Sequence, residues 1–155
     1  MGSLKYAGEE SALQTPIIAV FQMDMIGFST TGGCTFEVHA GYSGSPDVET
    51  RSVEIAELVR QSIAQISSAC PRAQIYPGVE QFDPGQTRSD HHSFLRQGYA
   101  ACLVSEDFFT GPGPTAPVPN PNPNYHTASD TAINLPYATA IARGVTAAAW
   151  LAATR

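Results

Sequence analysis

The sequence predicts an α/β fold built on a mixed, mostly parallel sheet. Short apolar runs of strand length alternate with longer stretches of helical periodicity. One of those runs, Ile17 to Met23, is almost continuously apolar, as a strand covered on both faces would be. The 155 residues suit a single domain, and with 43% hydrophobic and only 14% charged residues the chain is globular rather than disordered.

The elements follow in order. Leu4 to Leu13 reads as a short helix, broken at Thr15-Pro16, and the apolar strand then ends in Asp24. Thr35 to His39 alternates its faces and reads as a second strand. Asp47 after Pro46 is the expected N-cap of a long helix that sets Ile55, Val59, Ile63 and Ile66 on one stripe. Glu54, Glu57, Arg60 and Gln61 occupy its other side. Ala73 to Pro77 is a strand, Ser89 to Gln97 a short helix, and Tyr99 to Val104 an apolar strand running into Ser105-Glu106. Pro136 stands in the first turn of a last helix, where a missing N–H costs nothing. Ile141, Val145 and Ala148 form its inward face, and it runs to about Ala152. From Gly111 to Asn124 proline recurs at nearly every second position, which denies backbone donors and predicts an extended inserted loop.

Composition excludes some partners. A net charge of −6 without any Lys/Arg cluster argues against nucleic acid. No apolar run is long enough to span a membrane. Cys34, Cys70 and Cys102 form no CxxC pair and read as buried thiols; export would permit one disulfide, whose pairing the sequence does not name. The N-terminal residues hold no hydrophobic signal region, which in an intact gene favours the cytoplasm.

Two segments carry the chemistry: Gln-Met-Asp-Met-Ile-Gly-Phe around Asp24 and Asn-Pro-Asn-Tyr-His-Thr-Ala-Ser-Asp-Thr around His126. Ligands of open α/β sheets collect outside the carboxyl ends of the strands. Asp24 and Glu106 each follow a strand and are expected at that edge, with His126 returning to it from the proline-rich loop. A carboxylate and an imidazole together suit a divalent ion such as zinc. Taken singly, Asp24 reads as a turn cap and His126 as a surface histidine; their joint occurrence with matching flanks favours the site. Ser89-Asp90-His91 is not a catalytic triad, because a nucleophilic serine needs a base brought from elsewhere in the fold. His39 reads as a strand residue without catalytic duty.

The order of motifs resembles the co-catalytic di-zinc aminopeptidases of the bacterial leucyl aminopeptidase type. It consists of a strand ending in Asp-Met-Ile-Gly, then Ser-Asp-His-x-Ser-Phe, a strand ending near Glu, and Tyr-His-Thr-x-x-Asp-Thr. The resemblance implies a three-layer sandwich of the zinc exopeptidase type, two zinc ions and a peptide substrate. It implies Asp24 as ligand of one zinc and His126 as ligand of the other. Asp130 and Thr131 would shape the loop behind His126. Asp90 and His91 would support the site, Glu106 would lie near it, and Arg88 would be a cation at the pocket rim.

The same resemblance requires residues that these motifs lack: an upstream histidine, a bridging aspartate, and adjacent glutamates serving as general base and ligand. Gly2-Ser3 fit the turn that follows that glutamate pair, so Glu9-Glu10 fall inside the next helix and read as a solvated face. Residues 1–155 are then expected to be the C-terminal part of the catalytic domain, truncated at the N-terminus and inactive alone. Loss of the preceding half would leave the first strand unpaired and the chain poorly soluble or self-associating. A glutaminyl cyclase-like acyltransferase and a non-catalytic peptidase-like binding module are the alternatives. The compartment is left open; the resemblance points to a secreted or periplasmic parent.

Overall fold

A computed structural model describes residues 2–29, 35–67, 71–78, 81–108 and 122–154. The elements are α1 (Gly2–Ala12), β1 (Val20–Met23), β2 (Thr35–His39), α2 (Pro46–Ile66), β3 (Arg72–Tyr76), α3 (His91–Leu95), β4 (Ala101–Ser105) and α4 (Leu135–Ala153). The four strands form one sheet in the order β1-β4-β2-β3. β1 runs parallel to β4 and β2 parallel to β3, while β2 and β4 are antiparallel. The mixed, mostly parallel α/β sheet expected from the sequence is present.

Alternation along β2 and β4 decides what each face meets. Phe36, Val38, Cys102 and Val104 point to α2 and α4 and join Ile55, Val59, Ile63, Ile141, Val145 and Ala148 in the main core. Each Val, Ile or Phe among them taken fully out of water contributes about 1.5–3 kcal/mol. Gly144 lets the two helices touch, since a Cβ there would lie 2.9 Å from Ile63 Cδ1 and 3.3 Å from its Cα. The opposite face carries Ala101 with Leu95 and Val48, and α1 joins this layer through Tyr6, whose ring meets Phe94 at 6.2 Å. The layers are therefore helix, sheet, helix.

Three local expectations are corrected. Ser45, not Asp47, caps α2: its hydroxyl accepts the Val48 amide at 3.4 Å, and Pro46 occupies the first turn. Asp47 instead pairs with Arg51 one turn on. Ile66 is 36% exposed and lines the open groove beside Trp150 instead of the closed core. The first strand is shorter than its apolar run and only partly covered: β1 begins at Val20, Ile18 is 69% exposed, and among the described residues β1 pairs on one side only. The strand buried throughout is β4.

Cys102 is buried, free and pushed up to about 12 by desolvation, an inert core thiol. Cys34, Cys70 and most of the proline-rich segment lie outside the described residues. No described helix is long and apolar enough to cross a membrane.

Candidate functional site

The register sets Met23 beside Val104, so the chain leaves β1 and β4 at the same edge. Asp24 emerges there with its amide donating to Val104 O at 3.1 Å and its side chain exposed. The Ser89 hydroxyl donates to Asp24 Oδ2 at 2.6 Å and orients the carboxylate. Asp24, Met25, Arg88, Ser89, Leu103, Ser105, Phe108 and Tyr125 line a pocket of about 300 Å³. A larger groove of about 720 Å³ runs beside Trp150 and Ile66, but its lining is almost wholly apolar and holds no carboxylate or imidazole. The smaller pocket is the one equipped for chemistry.

Three segments converge on its rim. Glu106 Oε2 accepts the Phe28 amide at 2.6 Å, tying the end of β4 to the turn after Asp24. The Asn134 amide donates to Gly27 O at 2.7 Å, which brings in the segment after His126. The Tyr125 and Phe108 rings meet at 4.8 Å, and His126 stacks on Tyr125 at 3.9 Å. His126 is exposed. Met25 and His126 both occupy the left-handed region, with φ 60° and 61°. A non-glycine residue there costs on the order of 1 kcal/mol or more and persists only where neighbours enforce it. Both strained residues adjoin or are candidate metal donors.

The other expected site residues divide. Arg88 lines the pocket with Asp24. Asp130 is exposed and accepts from Asn122 at 2.6 Å, and the Thr131 amide donates to Ser129 O, so these residues shape the loop around His126. Asp90 accepts from the Ser3 hydroxyl at 2.6 Å and joins α3 to α1. His91 is fully buried and pushed down to about 4, chiefly by desolvation. Of the expected site residues, His126, Asp90, His91, Glu106 and Asp130 do not line the pocket, and His126 reaches it only through its stacking on Tyr125. Glu9 is exposed and pairs with Lys5 at 3.6 Å, a solvated face.

Glu106 is nearly inaccessible, and desolvation pushes it up to about 7 against the opposing amide of Phe28, with the Asp130 charge adding to the rise. A carboxyl whose folded pKa exceeds its unfolded one costs stability as it ionises, here from about pH 4.5 up to about pH 7. Glu106→Gln should remove that decline and gain roughly 2–3 kcal/mol above pH 7 relative to pH 4.5. Asp107, raised to about 6 by burial, slopes the same way, and His91 slopes oppositely between about pH 4 and 6.5. The variant must therefore be compared with the parent by urea melts at both pH values. An identical pH slope in the two proteins would refute the assignment.

Sequence reading missed Tyr125 and Phe108 as pocket walls and, for His39, gave its place on a strand but not its buried carboxylate partners. Of these only Tyr125 had a signal, its place beside His126. Asp24 and His126 offer the oxygen and nitrogen donors that zinc accepts. Among the described residues, however, no three His, Cys, Asp or Glu side chains gather as a metal-binding group. The donor set fits zinc in kind and is incomplete in number.

Comparison with known proteins bears on this arrangement. The aminopeptidase LapA of Legionella pneumophila superposes with a TM-score of 0.69 at 24% identity, over 99% of this chain and 36% of that one. An aminopeptidase from Aneurinibacillus sp. strain AM-1 gives 0.60 at 25% identity, over 97% of this chain and 30% of that one. The chain thus spans about a third of the length of these proteins. No curated protein matches it. The family model of Peptidase family M28 matches residues 1–151. That match covers nearly every residue and includes all the motifs behind the aminopeptidase resemblance, so the chain belongs to peptidase family M28.

Proposed function

We propose that this chain carries part of the active site of a zinc-dependent aminopeptidase, which removes N-terminal residues from peptides, and that it is inactive by itself. The observation that supports this best is the pocket that brings Tyr125 to Asp24 from a segment remote in sequence, with His126 stacked on Tyr125. Asp24 and His126 would each hold zinc. Ser89 orients the Asp24 carboxylate, a supporting contact of the kind that tunes metal sites. Arg88 places a cation in the pocket wall, where it would meet an acceptor oxygen of the peptide. When bound, zinc ions supply an activated water and polarise the scissile carbonyl. Two donors are fewer than the three or four protein ligands usual for one zinc ion. The remaining ligands and the general base would come from outside these residues, and residues 1–155 would form the C-terminal part of the catalytic domain, with 111–124 an inserted loop.

Equilibrium dialysis of the isolated chain should show weak zinc binding, and incubation with peptides should release no amino acid and cyclise no N-terminal glutamine. Tight binding of two zinc ions, or turnover, would overturn the fragment reading. The open edge of β1, flanked by exposed Ile18 and Met23, suits pairing with a second copy when nothing else covers it. The chain alone should associate with rising concentration in size-exclusion chromatography; a strictly monomeric profile would refute this.

A further inference from the structure

We infer that His39, clamped as an imidazolium between Glu37 and Asp83, is a positioning residue for the pocket that holds Asp24. Its ring is completely buried, with Nδ1 2.7 Å from Asp83 Oδ1 and Nε2 3.2 Å from Glu37 Oε2. A neutral imidazole has a single N–H and meets one of these carboxylates with a lone pair. The doubly protonated ring donates to both and sets no lone pair against either carboxylate. Desolvation opposes the charge, but the hydrogen bonds and charges of Asp83 and Glu37 outweigh it and raise the histidine above its ordinary value.

Each arm of the clamp reaches a pocket wall. In the β2–β4 pairing His39 lies opposite Leu103 and Glu37 opposite Ser105, both pocket-lining residues. Glu37 Oε2 also accepts the amide of Phe108, a third lining residue, at 3.2 Å. Asp83 accepts the amides of Gly41 at 2.7 Å and Gly85 at 2.8 Å. Gly85 O in turn receives the Arg88 amide, and the loop continues to Ser89, the partner of Asp24. A Cβ on Gly85 would lie 2.3 Å from His39 Cγ, so the loop backbone rests directly on the ring. Around the clamp stand Tyr76, stacked on His39 at 5.2 Å, His91 of α3 within electrostatic reach of His39 and Asp83, and Asp107 within reach of Glu37. Through His39 the sheet under the pocket is joined to the loop that presents Arg88 and Ser89.

The inference rests on reading that pocket as the site, but its test needs no turnover, so the two fail separately. Histidine-labelled NMR of the full chain resolves the protonation of each ring nitrogen. Both nitrogens of His39 should remain protonated above the pH at which a free imidazole loses its proton, as opposite charges at contact distance require. In Glu37→Gln the His39 midpoint should fall, and the amide signals of Gly85, Arg88 and Ser89 should move with the same midpoint. A ring nitrogen of His39 that is unprotonated at neutral pH, or a His39 midpoint unchanged in Glu37→Gln, would overturn the inference. So would loop amides that ignore the His39 titration in Glu37→Gln.

Discussion

Asp24→Ala and His126→Ala should each lower peptide release by the full-length enzyme by more than 100-fold, while Glu9→Gln and Glu10→Gln leave it nearly unchanged. Loss of a partner that merely supports a metal ligand costs roughly 10–100-fold, and loss of the ligand itself should exceed that. Asp24 is exposed at the end of β1 and its backbone is fixed by Val104, so alanine removes the donor without removing packing. His126 is exposed too, and its ring contact with Tyr125 carries little of the core. Folding should therefore survive both substitutions, and zinc content measured beside kcat/KM would show whether activity and metal are lost together. Near-parental activity in Asp24→Ala would remove the pocket as the site. Strong loss in Glu10→Gln would show that the catalytic pair lies on α1.

Gly85→Ala should be the most damaging added methyl among the described glycines. Overpacking a core typically costs about 1–3 kcal/mol. Here the obstacle is a fully buried ring pinned from both sides, and moving it breaks a buried charge pair, a loss of roughly 3–5 kcal/mol. Against a native margin of about 5–15 kcal/mol the variant should melt on the order of 10 °C lower, or fail to fold. Gly8→Ala is the control: a Cβ there meets nothing within 4 Å and should gain up to about 1 kcal/mol of helix propensity in α1. Equal melting of Gly85→Ala and the parent would mean that the loop does not rest on His39.

The sequence made some of these features legible and hid others for physical reasons. α4 could be read because Pro136 marks its start and its apolar stripe meets the sheet. Asp24 could be read because a strand end is a defined place in an α/β sheet, and His126 because its flanks belong to a motif. The cap of α2 was misplaced because Ser45 and Asp47 are both good caps on either side of one proline; only the backbone geometry separates them. Ile66 keeps the period of its stripe, and periodicity does not reveal that its turn faces an open groove. His39 was read only as a strand residue because its partner Asp83 lies in an irregular loop, and no spacing rule links a strand histidine to such a residue. The contact of Phe108 with Tyr125 is of the same kind, made by folding and not by neighbourhood.

The pairing of β1 with β4 also sets an order of events. β2, α2 and β3 are consecutive, and their parallel pairing closes only one crossover. β1 cannot pair with β4 until Ala101 to Val104 exist, and these follow it by some eighty residues in the register Val20↔Ala101. Contacts between distant residues form late, since the loop entropy comes before the reward. On a ribosome, Val20 to Met23 therefore emerge before their β4 neighbour and wait for it, while the β2–α2–β3 unit assembles behind them. β4 must then enter between that unit and β1, parallel to one neighbour and antiparallel to the other. The interval before it does is when the apolar segment is most open to pairing with the wrong chain.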